Sequence, residues 1–183
     1  MIKEAVEFAV EAHRGAVRKG TKIPYIVHPL EAAVIVGSMT KDEELIAAAV
    51  LHDVLEDTDA TEEELREQFG NRVTDLVVSE TDDKTQSWLV RKTRKLKRAE
   101  EAGTDLKMLI LGDKLSNIRS TARDYLLMGE ALWERFNEKH KESHAWYYWG
   151  MALRLKSLSD YEPYGEYVEL CRQVFGDIRE EWK

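Results

Sequence analysis

Only one cysteine, Cys171, stands in the chain, so no internal disulfide can form and no thiolate cluster can hold a metal. A reducing cytoplasm is the expected home. No apolar run approaches the roughly 18 residues that a membrane-spanning helix needs, so no membrane partner is expected. Three prolines and ten glycines leave few points where a helix must stop. β-branched alternation is scarce, and strand signals are scarce with it. Positive charge is in deficit overall. A net charge of −8 argues against bulk binding to nucleic acid. The N-terminal stretch Met1–Val6 carries an acid early and reads as helix, not as a signal peptide.

What is present is helical spacing along 183 residues, enough for one domain with a substantial core. The expected fold is an all-α, single-domain helical bundle over residues 1–183. A first helix is expected over Ile2–Val17, with Ile2, Val6, Ala9 and Val10 as its apolar stripe and His13 on the same side. A donor-rich loop, Arg18 to Tyr25, leads to His28-Pro29 at the start of a helix reaching Met39. Thr40-Lys41-Asp42-Glu43 has the form of a capping box with Thr40 as N-cap, and Thr61–Glu64 repeats the pattern. Gly70 should end the short helix that follows, and Val73, Leu76 and Val77 mark the next. Trp88–Ala102 reads as a basic helix stopped by Gly103. In Asp105–Tyr125, Leu111, Leu115, Ile118 and Ala122 form a core stripe, with Asp113, Asn117 and Ser120 on a neighbouring side. Two apolar helices around Trp149 and Tyr167 close the core, with Cys171 buried and inert. His140 and His144 lie in a charged run and are expected at the surface. The many C-terminal aromatic residues could also cover a second copy of the chain, so a homo-oligomer is possible.

The chemistry centres on Leu51-His52-Asp53-Val54-Leu55-Glu56-Asp57-Thr58, which emerges from the apolar run Leu45–Leu51. On a continuous helix, His52 and Glu56 stack at i and i+4, as do Asp53 and Asp57. Ionisable groups pressed against a buried helix need a metal or a counter-charge. His28 and Asp113 complete a set of two imidazoles and two carboxylates with His52 and Asp53. Such a mixed nitrogen and oxygen set suits a divalent ion such as manganese, iron or zinc. Glu56 and Asp57 are the candidates to orient or deprotonate a water. Two basic groups offer contacts for a compact anion. Arg14, Arg18, Lys19 and Lys22 form one. Lys84, Arg91, Lys92, Arg94, Lys95, Lys97 and Arg98, with no acid among them, form the other, which otherwise reads as a solvated helix face.

These residues resemble the HD metal-dependent phosphohydrolases, and within them the hydrolase domain of RelA/SpoT proteins. The blocks that carry the likeness are Arg18-Lys19-Gly20, Pro24-Tyr25-Ile26-Val27-His28-Pro29, His52-Asp53-Val54-Leu55-Glu56-Asp57-Thr58, Thr81-Asp82-Asp83-Lys84 and Asp113-Lys114-Leu115-Ser116-Asn117. The resemblance implies a metal-site core over about 13–125, with C-terminal packing helices over about 130–183. It implies a small alarmone hydrolase that removes the 3′-pyrophosphate of ppGpp and pppGpp with manganese. His28, His52, Asp53 and Asp113 would hold the ion. Glu56 and Asp57 would serve the water, and Arg18, Lys19, Asn117 and Lys84 the nucleotide. The alternatives are a phosphatase for another nucleotide with a 3′ or 2′ phosphate, NADPH included, and a regulatory module that binds a nucleotide without cutting it. Ser116 stands where many relatives have histidine, and Ala16 where many have glutamine. Both bear on which nucleotide fits.

Overall fold

A computed structural model describes residues 1–182. Among them the all-α expectation holds: the only β feature is an isolated antiparallel bridge, Val17 with Pro24. The described residues form nine α-helices, with longer connections at 13–26 and 129–140, and none is long and apolar enough to cross a membrane. Contacts group the chain into two compact units. The first holds Met1–Asp82 with Met108–Asp113, and the second holds Asp83–Lys107 with Lys114–Lys183.

The first unit is built around α3 (Glu43–Leu51), which packs against α1 (Ile2–Ala12), α2 (Val27–Met39) and α5 (Glu62–Glu80). Leu45, Ala47, Ala48, Ala49, Val50 and Leu51 are all buried, so the helix is apolar on every side, as a central helix must be. Its alanines let three neighbours approach closely. Each fully buried leucine contributes on the order of 2 kcal/mol. The N-cap of α3 is Asp42, whose carboxylate accepts the N–H groups of Glu44 and Leu45, and not Thr40. Arg72 explains the choice: its guanidinium bonds both Asp42 and Glu44, tying α5 to the start of α3. Thr61 caps α5 as expected, in a reciprocal box with Glu64. Gly70 then breaks α5 into two pieces. Its φ of 81° lies where a side chain is strained.

Helix α1 is shorter than expected, ending at Ala12 with His13 as its cap, because Gly15 takes a φ of 78° and turns the chain. Its buried residues are Ala5 and Ala9, whereas Val10 is exposed. The second unit gathers α6 (Trp88–Glu101), most of α7 (Thr104–Met128), α8 (Lys141–Arg154) and α9 (Glu162–Phe175), with α8 packed on both α6 and α9. Cys171 is fully buried, and burial pushes its thiol far above the ordinary range, as an inert core residue requires.

His144 overturns the surface expectation. It is buried on α8, stacked on Trp133 at 5.0 Å and edged by Trp88 and Phe136. Its Nε2 lies 2.8 Å from the Glu138 carbonyl, which can only accept, so Nε2–H donates. The flanking Lys139-His140-Lys141-Glu142 run masks this in the sequence. Burial lowers the pKa of His144, with Glu138 opposing the shift and Lys92 adding to it. A depressed pKa means that the stability it contributes is present above about pH 6.5 and lost as pH falls toward the folded value. Urea midpoints should therefore fall on acidification through pH 6.5. One such histidine adds at most about 1.4 kcal/mol per pH unit to the slope. His144→Phe should show a shallower fall, and an unchanged slope would contradict the assignment.

Candidate metal centre

Four side chains of the first unit converge where α2, the end of α3 and α7 meet. His28 sits in the first turn of α2 and is 3% exposed. Its Nε2 lies 3.2 Å from Asp113 Oδ1 and 3.4 Å from Asp53 Oδ2. His52 Nε2 lies 3.1 Å from Asp53 Oδ2 and 3.7 Å from Asp113 Oδ1. The donor atoms of His28, His52 and Asp113 all fall within 4.8 Å of one another.

The local backbone differs from a continuous helix. Helix α3 stops at Leu51, His52 caps it, and Asp53 takes φ −101° and ψ −4° before the single turn α4 (Val54–Asp57). That bridge-region conformation sets off a new turn. One i, i+4 relation survives it: the Asp57 N–H donates to the Asp53 carbonyl at 2.9 Å.

His52 is prepared as a ligand. Its Nδ1 lies 2.8 Å from the Ala49 carbonyl, so Nδ1 carries the hydrogen and Nε2 faces the carboxylates. That buried Nε2 meets Asp53 and Asp113 at ion-pair distance without a hydrogen bond of its own. Burial presses the His52 pKa down, but the charges of Asp53 and Asp113 outweigh it, and the value stands well above 6.5. Burial likewise opposes ionisation of Asp53, yet His52 and His28 hold it well below the usual carboxylate range. Two carboxylates against two imidazoles, with one orphaned ring nitrogen, form a site that takes up positive charge. A divalent ion suits this donor set.

Gly112 sets the depth of Asp113. A Cβ there would lie 2.7 Å from Val36 Cγ2 and 2.9 Å from the Ala32 carbonyl oxygen. Helix α7 thus passes against α2 backbone to side chain, and Asp113 arrives beside His28. Gly112→Ala should cost about 1–3 kcal/mol by overpacking and weaken ion binding with it. A melt with and without Mn²⁺ checks this, and an unchanged midpoint in both would refute the close-contact reading.

Around these four, Glu56 is half-buried and its Oε2 accepts the Asp82 N–H at 3.1 Å. Asp57 is exposed, with its Oδ2 3.0 Å from the Tyr25 hydroxyl. Arg18 is half-buried with its guanidinium 5.7 Å from the Tyr25 ring centre, and Lys19 is exposed in the same loop. That loop is held by Arg18 N–H to the Ile23 carbonyl and Tyr25 N–H to the Ala16 carbonyl. Ala16 thus serves through its backbone, which any residue supplies. Lys84 and Asn117 belong to the second unit, Lys84 exposed before α6 and Asn117 partly exposed in α7. In the sequence Tyr25 counted only as part of the Pro24–Pro29 block, with no role in the site, and Gly112 had none. The signal for Gly112 was its place inside a helix next to Asp113, where glycine costs about 1 kcal/mol against alanine unless a neighbour needs the space.

A family model described as an HD domain matches residues 5–124. The chain is 41% identical over 127 residues to the guanosine-3′,5′-bis(diphosphate) 3′-pyrophosphohydrolase MESH1 of Xenopus tropicalis, covering 67% of this chain and 70% of that protein. It is 42% identical over 122 residues to the Aquifex aeolicus protein of the same enzyme name. That match covers 65% of this chain but only 17% of the longer relative. Among solved structures, one described as a metazoan ortholog of SpoT that hydrolyses ppGpp superposes with a TM-score of 0.77 at 28% identity. It covers 94% of both chains.

Proposed function

Because the chain belongs to the HD-domain family, we propose that it is a metal-dependent hydrolase that removes the 3′-pyrophosphate of ppGpp and pppGpp. The products are GDP or GTP and pyrophosphate. The observation that carries the reaction class is the convergence of His28, His52, Asp53 and Asp113 around the orphaned Nε2 of His52. The names of the relatives support the substrate.

His28, His52, Asp53 and Asp113 would hold the ion, for which manganese is our assignment. When bound, such an ion supplies Lewis-acid polarisation of the phosphate and a more acidic water. Glu56 and Asp57 receive the proton and orient the water. The water oxygen joins the phosphorus, the bond from phosphorus to the 3′ oxygen breaks, that oxygen takes a proton from solvent, and the carboxylates return the water's proton to solvent. Arg18 and Lys19 are our candidates for the phosphate charge, and the family resemblance adds Lys84 and Asn117 as candidates for the nucleotide. We read residues 1–183 as one hydrolase domain, acting in the cytoplasm on a free nucleotide. The charge of −8 supports the exclusion of nucleic acid.

Incubating purified protein with ppGpp and Mn²⁺ should release pyrophosphate and GDP, and a chelator should stop it. Phosphate from NADPH with nothing from ppGpp would overturn the substrate. Tight nucleotide binding with no product would overturn the enzyme.

A further inference from the structure

Tyr25 joins the two halves of the site. Its hydroxyl lies 2.7 Å from Asp53 Oδ2 and 3.0 Å from Asp57 Oδ2. Asp53 Oδ2 is the oxygen that faces both histidines, whereas Asp57 is exposed on the next turn. One phenolic proton therefore serves two carboxylates that would otherwise repel and separate. The ring is itself fixed. His13, 4% exposed, packs on it at 4.9 Å between ring centres, and the His28 ring meets it edge-on at 5.9 Å. Arg18 lies near its ring, and the Tyr25 N–H donates to the Ala16 carbonyl. The phenol is thus aimed by packing at a point between the carboxylates.

We propose that Tyr25 is a positioning residue whose hydroxyl clamps Asp53 and Asp57 into one rigid pair. The ion-side carboxylate and the water-side carboxylate then keep a fixed separation. The hydroxyl acts only as a donor. Both carboxylate oxygens can only accept, so the shared hydroxyl is the donor to each in turn. The water-side half of the proposal rests on the hydrolase reading, and the ion-side half does not.

Two variants separate the hydroxyl from the ring. Tyr25→Phe keeps the packing against His13, His28 and Arg18 and removes only the oxygen. Tyr25→Leu removes both. Mn²⁺ affinity is measured on metal-free protein by calorimetry, alongside a thermal melt. Tyr25→Phe should bind Mn²⁺ roughly 10- to 100-fold more weakly with its fold intact, the range expected when a hydrogen bond behind a metal ligand is lost. At saturating Mn²⁺, its kcat on ppGpp should fall by a similar factor with KM within about threefold. Wild-type Mn²⁺ affinity and kcat in Tyr25→Phe, with only Tyr25→Leu impaired, would assign the role to the ring and overturn the clamp. A wild-type protein that cuts no ppGpp would remove the hydrolase reading instead, and the Mn²⁺ affinities would still decide the part played by Tyr25.

Discussion

Asp53→Ala should leave a protein that folds but neither retains Mn²⁺ nor turns over. Asp53 Oδ2 lies within 3.4 Å of both ring nitrogens, so with Asp113 Oδ1 it is one of two carboxylate oxygens shared by His28 and His52. Removing it strips half the negative charge that favours a cation there and leaves Asp113 to hold the histidines alone. The ion's contribution to the barrier is worth several kcal/mol, so the loss of turnover should be on the order of 10³-fold or more. A second measurement is independent of any substrate. Mn²⁺ at about 100 times its Kd stabilises a binding protein by about 2.7 kcal/mol, and the wild-type melt should shift upward accordingly. The Asp53→Ala melt should not move. Metal at one equivalent after purification, together with a wild-type shift, would remove Asp53 from the ligand set.

The contrast between what was legible in the sequence and what was not follows from where each signal resides. Capping and breaking are local. Thr61 with Glu64, the break at Gly70 and the Trp88 start of α6 depend on residues a few positions apart, and all stand in the structure. The apolar stripe of α7 is local as well, and Leu111, Leu115, Ile118 and Ala122 are buried as its spacing requires. Other features depend on partners far along the chain. Asp42 displaces Thr40 as the cap of α3 because Arg72, thirty residues on, bonds its carboxylate. His144 is buried because Trp88, Trp133 and Phe136 reach it from other elements. The end of α3 at Leu51 was hidden for another reason. Every residue from Leu45 to Leu51 favours or tolerates a helix, and His52 keeps helical angles, so only the backbone of Asp53 records the break.

The candidate site was legible by residue type and hidden in geometry. His28, His52, Asp53 and Asp113 were identifiable as chemistry out of place on apolar helices, and the structure brings their donors together. The second layer was not readable. A hydroxyl shared between Asp53 and Asp57 needs the loop at Tyr25 to fold back on α4. The depth of Asp113 needs the missing Cβ of Gly112. A tyrosine three residues before a histidine and a glycine inside a helix are ordinary in sequence. Their meaning is set by what stands opposite.

Glu56→Gln should give the reverse of the Asp53 result: metal kept and turnover lost. Glu56 is not among the groups that face the ring nitrogens. Its Oε2 accepts the Asp82 N–H at 3.1 Å, which fixes the side chain from behind. A glutamine oxygen can accept the same N–H, so the substitution preserves that bond and the side-chain volume while removing the charge. Mn²⁺ content, Mn²⁺ affinity and melting temperature should therefore match the wild type. A group that takes a proton from the attacking water contributes about 10²–10⁴-fold, and the amide cannot take it. The fall in kcat should lie in that range, with KM little changed, because the group acts as the bond to phosphorus forms. A kcat within threefold of wild type would pass the proton-accepting role to Asp57, whose exposed carboxylate shares the Tyr25 hydroxyl with Asp53. Paired with Asp53→Ala, the variant divides the His52–Asp57 stretch by chemistry: ion binding falls to its first two residues and proton transfer to its last two.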